Sequence, residues 1–360
     1  MTVNWWKTSL GEKEINRVVK AIRNKNISQG PVTKEFETNL GEYFEIDHVV
    51  AVSSGSSALL VALMALGVKQ GDEVIMPNRT WIATAHAAHM LGAKVVLVDV
   101  EEDRPIIDAS AIEKKITSKT KVILPVHMNG RSANMLLINK IAKKFNIAVV
   151  EDACEAISSR NSEGFLGTQS DIGCFSLSIA KTIGTGQGGF TITRNKDLAD
   201  KMRAIRTQGV ENVKDPGTWT MPGFNFRFTD ILASIGIEQL KRLPDRISKI
   251  CDLYSIYLDK LKETEFKAIT VDLNSGEIPV YNEFLVENRD KWVKNLEKLD
   301  IESRPFYPNI NEATYLYGKN NEIFPNSMPY QKNGLTLPSG PDQDSSSVEI
   351  CVNAIKKLSE

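Results

Sequence analysis

Cysteine and histidine are both scarce, with four of each in 360 residues. Cys154, Cys174, Cys251 and Cys351 form no CxxC pair, and none stands at metal-ligand spacing from His48, His86, His89 or His127. Neither structural zinc nor a disulfide framework is expected, and the simplest reading is a reduced, cytoplasmic protein. Net charge is missing as well. Forty-four Lys and Arg stand against 45 Asp and Glu, so the broad basic field that nucleic acid requires is absent. No apolar run approaches the roughly 20 residues of a membrane-spanning helix. The N-terminus, Met-Thr-Val-Asn-Trp-Trp-Lys, lacks the charged and apolar regions of a signal peptide. What remains, with 42% hydrophobic and 25% charged residues, is an ordinary globular composition. The chain is long enough for a large core with an appended subdomain.

Ile15, Val18, Val19 and Ile22 recur at i, i+3, i+4 and i+7, which predicts a helix with one buried face. Strand-like runs follow at residues 73–76, 95–98, 121–126 and 147–150, with helical stretches at 80–91, 111–116 and 135–145. These strands are apolar throughout rather than alternating, as expected when helices cover both faces of a sheet. The expectation is an α/β domain over residues 1–243 with a mainly parallel central sheet. Residues 244–360 are read as a smaller α+β domain, with helices at 245–262, 291–299 and 347–358 and a strand at 280–286.

Three features stand where an open α/β sheet places a ligand, at the carboxyl ends of its strands. The run Ser53-Ser54-Gly55-Ser56-Ser57 precedes an apolar helical stretch. Its small residues let backbone approach an anion, and a helix N-terminus supplies free N–H groups and positive dipole. The same serines also suit ordinary N-capping. Asp152 follows the apolar run 147–150, where a carboxylate either anchors a cationic nitrogen or caps a turn; Glu155, in isolation, is a solvated acid. Lys181 stands between an apolar, hydroxyl-bearing run and a loop, 184–189, in which four of six residues are glycine. A lone lysine is usually a surface charge. Partly desolvated in such a loop, it would have a lowered pKa and could form a Schiff base. An anion cradle, a strand-end carboxylate and an amine together match the phosphate, ring nitrogen and aldehyde of pyridoxal phosphate.

In this order the motifs resemble the sugar aminotransferases of the DegT/DnrJ/EryC1/StrS family, over nearly the whole chain. The resemblance is carried by Ile27-Ser28-Gln29-Gly30-Pro31, Ser54-Gly55-Ser56-Ser57-Ala58-Leu59 and Gly71-Asp72-Glu73-Val74-Ile75-Met76-Pro77. It continues through Glu151-Asp152-Ala153, Pro222-Gly223-Phe224-Asn225-Phe226-Arg227, Ile301-Glu302-Ser303-Arg304-Pro305 and Leu337-Pro338-Ser339-Gly340. It implies a pyridoxal-phosphate enzyme of type I, the aspartate aminotransferase-like fold. By the same resemblance Lys181 is the Schiff-base lysine, and Asp152 pairs with the ring nitrogen. Gly55, Ser56, Ser57 and Ser176 fall at phosphate-binding positions. Trp81 falls at the ring-stacking position, unless it is a core tryptophan. Asn225 falls where relatives reach the phosphate of a neighbouring subunit, unless it is a turn residue; a homodimer with shared active sites follows from the first reading.

Glu155 stands near the cofactor's phenolic oxygen, where many relatives carry His or Gln. A carboxylate facing a phenolate is repelled unless one of them holds a proton. Relatives resembling perosamine synthases carry Glu here. Gln187 replaces a Glu usual in the Gly-rich loop, and Tyr281-Asn282-Glu283 lacks a histidine common in that stretch. The implied reaction moves an amino group from glutamate to a nucleotide-linked keto-sugar, in amino-sugar and surface-polysaccharide synthesis. Glu155, Thr207-Gln208-Gly209-Val210 and the run 301–308 resemble perosamine synthases, which implies C4 of a GDP-linked 4-keto-6-deoxyhexose rather than C3. A hexose offers no carboxylate to an arginine clamp, so affinity must come from the nucleotide and diphosphate. Arg304 is either a contact for that diphosphate or a surface salt bridge. A pyridoxamine-dependent dehydratase of this family would carry histidine in place of Lys181. A non-catalytic regulator would have no need of Lys181, Asp152 and Trp81 together.

Overall fold

Val, Ile and Leu fill the strand runs, and the backbone pairs them into two separate main sheets. The computed structural model describes residues 2–210, 217, 219, 221–317 and 322–359. The N-terminal sheet contains β1 (His48–Val52), β2 (Glu73–Pro77), β3 (Lys94–Val98), β4 (Thr120–Ile123) and β5 (Ala148–Asp152). After a short hairpin of β6 (Arg160–Asn161) and β7 (Gly164–Phe165), β8 (Ile172–Ser176) and β9 (Gly189–Thr193) complete it. The seven strands lie in the order β1-β9-β8-β5-β4-β2-β3. Only the two pairings made by β9 are antiparallel, so the sheet is mainly parallel.

Helices α1 (Glu12–Arg23), α2 (Pro31–Phe44), α3 (Gly55–Ala65), α4 (Ile82–His89), α5 (Ala109–Ile112), α6 (Met135–Phe145), α7 (Lys196–Arg206) and α8 (Asp230–Lys241) accompany this sheet. Both of its faces are buried. Val74, Met76, Val122 and Val150 pack on one side with residues of α3 and α4. Their neighbours Ile75, Ile123 and Val149 pack on the other with residues of α5 and α6. That division explains why the strands show no polar alternation.

The C-terminal sheet is antiparallel throughout, with β10 (Lys267–Ala268), β11 (Asn282–Leu285), β12 (Arg304–Pro305) and β13 (Gly334–Leu337) in the order β10-β11-β13-β12. Around it run α9 (Leu243–Leu261), α10 (Arg289–Glu297), α11 (Thr314–Tyr317), α12 (Met328–Asn333) and α13 (Ser345–Ser359). The first residues of the chain cross to this sheet: Val3 bridges to Ile301 and Trp6 to Ser339.

Two local expectations change. Helix α1 forms, but its apolar stripe is not buried: Ile15 and Ile22 are 50% and 54% exposed. The face turned to α8 carries Glu14 instead, whose carboxylate accepts from Gly11 N–H (2.9 Å) and Gln239 Nε2 (2.5 Å). The strand read at 121–126 ends at Ile123, because Pro125 has no N–H to donate to a ladder.

Candidate active site

Strand ends deliver the polar residues to one place. Asp152 is the last residue of β5 and Ser176 the last of β8, while Ser53 and Ser54 link β1 to α3. These ends face the C-terminal sheet across a cavity of about 510 Å³. Gly55, Ser56, Trp81, Asp152, Glu155 and Ser176 line it. So do Lys181 and Arg304.

The small-residue loop does two jobs. Ser54 caps α3, its Oγ accepting from Ser57 N–H at 3.0 Å, while Ser57 Oγ accepts from Ser54 N–H at 2.8 Å. Ser57 is thereby turned into the capping box and does not line the cavity. The N–H groups of Gly55 and Ser56, in the first turn of α3, have no intrahelical acceptor. Glycine is required here: a Cβ on residue 55 would stand 2.9 Å from Ser176 Cβ and 3.0 Å from Cys154 Sγ. Helix N-terminus, Ser56 hydroxyl and Ser176 hydroxyl form a cradle for an anion.

Asp152 is buried at the cavity floor. Its Oδ2 accepts from Thr84 Oγ1 at 2.8 Å and its Oδ1 from Cys154 N–H at 3.1 Å. Burial pushes its pKa up despite these donors. The carboxylate is therefore costly to keep charged unless a cation lies opposite.

Lys181 donates from Nζ to Glu155 Oε1 and to Tyr281 OH, both at 3.2 Å. The expectation of a lowered pKa is reversed. Burial by itself pushes the ammonium down, but Glu155 and then Tyr281 outweigh it and hold it above the ordinary lysine range. The Gly-rich loop predicts desolvation correctly, but spacing along the chain says nothing about a carboxylate folded against the amine. Tyr281 donates its own proton to Ala180 O at 2.9 Å, and burial pushes its pKa up to about 12.

Glu155 and Tyr281 are fixed by one turn. Asn129 N–H donates to Glu155 Oε2 at 3.1 Å, and Asn129 Oδ1 accepts from the N–H groups of Val280 (2.8 Å) and Tyr281 (2.7 Å). Asn129 and Gly130 both have positive φ, and a Cβ on Gly130 would fall 1.9 Å from Ile278 O. Sequence reasoning names Tyr281 only for a missing histidine and passes over Asn129 and Thr84. A buried asparagine before glycine is the only trace of this turn in the sequence.

Trp81 is no core residue. It is 56% exposed, at the start of α4, and meets Tyr307 edge-to-face at 5.1 Å. Arg304 forms no ion pair with any described residue; its guanidinium lies over the Trp5 ring at 5.5 Å. Asn225 does not line the cavity; it is bridged to Thr207, with its Oδ1 accepting from Arg227 Nε at 2.9 Å.

The donor set fits pyridoxal phosphate: an anion cradle that a Cβ would fill, a buried carboxylate in need of a cation, an aromatic wall and an amine. Comparison with known proteins agrees. The model of the DegT/DnrJ/EryC1/StrS aminotransferase family matches residues 8–356. The GDP-perosamine synthase of Escherichia coli O157:H7 is 33% identical over 98% of this chain and 97% of its own. Among solved structures, DesV of S. venezuelae, in complex with a ketimine intermediate, superposes with a TM-score of 0.92 at 27% identity, covering 100% of this chain and 99% of that one. A mutant of the GDP-4-keto-6-deoxymannose-3-dehydratase ColD with bound GDP-perosamine superposes at 0.88 with 25% identity, covering 98% and 100%.

Proposed function

The chain belongs to the DegT/DnrJ/EryC1/StrS aminotransferase family and is a pyridoxal-phosphate-dependent sugar aminotransferase; on that premise we propose that it aminates C4 of a GDP-linked 4-keto-6-deoxyhexose, with glutamate as donor. The observation that carries this reading is the similarity to GDP-perosamine synthase across nearly the full length of both chains. Glu155 against Lys181 supports it from within the site.

The residues take these roles. The α3 N-terminus, Ser56 and Ser176 would hold the cofactor phosphate, Asp152 its ring nitrogen and Trp81 its ring face. Pyridoxal phosphate, when bound, supplies the electron sink through which nitrogen leaves one substrate and enters the other. Lys181 Nζ must shed a proton before it can act as nucleophile or base. Glu155 Oε1 is the carboxylate acceptor set against that amine, while Tyr281 donates its own proton to Ala180 O. Asp152 is only 5% exposed, so a charge it would hold against the ring nitrogen would be little screened by water.

We take residues 1–243 as the cofactor-binding unit and 244–360 as the smaller unit that closes the substrate side. The assembly we infer is a homodimer with shared sites, Asn225 serving the partner's phosphate. That Asn225 is exposed and does not line the cavity of its own chain supports this, as do the exposed Ile15, Ile22, Ile27 and Phe224. Action in the cytoplasm is supported by four unpaired cysteines. Incubating the holoenzyme with glutamate and GDP-, UDP- and dTDP-linked 4-keto and 3-keto sugars tests the proposal. The expected product has its amine at C4, read from the H4 shift by NMR; a 3-amino product, or no turnover with any 4-keto sugar, overturns it.

A further inference from the structure

Directly opposed residues of paired strands share a face, so register decides which side chains form one surface. In the C-terminal sheet Glu283 of β11 opposes Thr336 of β13, and Thr336 opposes Arg304 of β12. The alternate residues Phe284, Leu335 and Leu337 lie in the core with residues of α9 and α13. Glu283, Thr336 and Arg304 instead line the cavity that holds Lys181. A carboxylate, a hydroxyl and a guanidinium therefore stand in one row, spanning roughly 10 Å at the usual strand spacing.

The row is built into the fold. Glu283 Oε2 accepts from Arg131 Nη1 at 2.7 Å. Arg131 is wholly buried, and its remaining hydrogen bonds go to the carbonyls of Thr270, Ile269 and Met128. Among the described residues nothing hydrogen-bonds Glu283 Oε1 or the Thr336 hydroxyl, although the two residues are only 6% and 7% exposed. Both residues line the cavity, so these acceptors and donors are open to a ligand there. Arg304, at the outer end, is exposed and has no carboxylate partner among the described residues.

We propose that Glu283, Thr336 and Arg304 form a substrate-reading row in which the first two engage hydroxyls of the sugar and the third its diphosphate. This deepens, and rests on, the reading of a nucleotide-linked sugar as substrate. A carboxylate beside a hydroxyl matches adjacent hexose hydroxyls, each of which donates and accepts, while a guanidinium matches phosphate oxygens. The row also fills the stretch 281–283, where a histidine common among relatives is missing.

Calorimetric titration of the holoenzyme with GDP-perosamine and with GDP separates the parts. Glu283→Gln should weaken GDP-perosamine about 10-fold or more and Thr336→Val roughly 3- to 10-fold. Both variants should bind GDP as wild type does, because GDP has no hexose. Arg304→Met should weaken both ligands about 10-fold. Thr336→Val is nearly isosteric and keeps the inference testable should Glu283→Gln fail to fold around Arg131. A Glu283 that merely neutralises Arg131 predicts a lower melting temperature with both affinities unchanged. If wild type prefers GDP-perosamine over GDP and the Glu283 and Thr336 variants keep that preference, the row is refuted alone. A wild type with no such preference refutes the row together with the proposed acceptor.

Discussion

Replacing Glu155 by Gln tests what sets the charge on Lys181. The two groups are 3.2 Å apart and largely buried, with side chains 14% and 13% exposed. At an effective dielectric of about 20, unit charges at that separation attract by roughly 5 kcal/mol. Glutamine keeps the shape and one acceptor oxygen, and cavity water makes up part of the rest. If a quarter of the attraction is lost, about 1.3 kcal/mol, the midpoint for protonating the lysine falls by about one pH unit. Competitive labelling of the apoprotein with an amine-reactive reagent across pH, read by peptide mass spectrometry, reports Lys181 alone. Wild type should react only at strongly alkaline pH, and Glu155→Gln at distinctly lower pH. Stability carries the same sign. A lysine whose folded pKa is raised stabilises the fold fully below its unfolded pKa and loses that contribution as pH climbs through the folded value. The variant should therefore melt below wild type at neutral pH, with the gap closing in strong alkali. Equal labelling midpoints would refute the reasoning and leave Tyr281 as the group that holds the proton.

Lys181→Ala should abolish transamination, a loss beyond the roughly 10²–10⁴-fold typical of a missing base, while circular dichroism stays native. Asp152→Asn should raise the melting temperature of the apoprotein near neutral pH. Its folded carboxyl has a raised pKa, so the cost of charging it is met above that pKa and vanishes as pH falls through it. In stopped flow with glutamate the same variant should be roughly 10- to 100-fold slower, since an amide cannot make the charge-assisted bond. Gly55→Ala should weaken cofactor binding, measured by fluorescence titration, and cost about 1–3 kcal/mol of stability through the contact with Ser176. Sedimentation should give a dimer for wild type and a smaller species for Ile22→Lys, which places charge on the exposed stripe of α1.

Periodicity reveals the mainly parallel sheet because both of its faces are buried; Val74 and Ile75 alternate between two cores that are equally apolar. The helix at residues 135–145 is equally plain from its pattern, and the structure adds the Asn134 side chain as its cap. Helix α1 shows where periodicity stops short. It marks a stripe of Ile and Val but not what the stripe meets, and the chain buries Glu14 instead. Asp152 ends a strand, Gly55 opens a helix and Lys181 lies in the Gly-rich stretch between β8 and β9, all local properties and therefore legible. Their partners are not. Tyr281 lies 100 residues from Lys181, and Asn129 lies 152 from Tyr281, so only the folded chain brings them together. For that reason the sequence predicts the wrong direction for the lysine pKa.

One short turn explains why donor chemistry and sugar recognition can share a lysine. Residues 127–131 follow the end of β4, and His127 is locked there: its Nδ1 accepts from Ala133 N–H at 3.2 Å, which leaves Nε2 to donate to Glu151 Oε2 at 2.9 Å. From that anchor Asn129 grips the backbone of Tyr281, and Arg131 grips the side chain of Glu283. Tyr281 and Glu283 are two residues apart on one strand run, so alternation should send their side chains to the same face. Both do line the cavity, one touching the lysine and the other beginning the row toward Arg304. The C-terminal sheet is thus registered to the lysine by a turn of the N-terminal one, through bonds between buried groups. A shift of that sheet would move the charge partner of Lys181 and the reader of the sugar together.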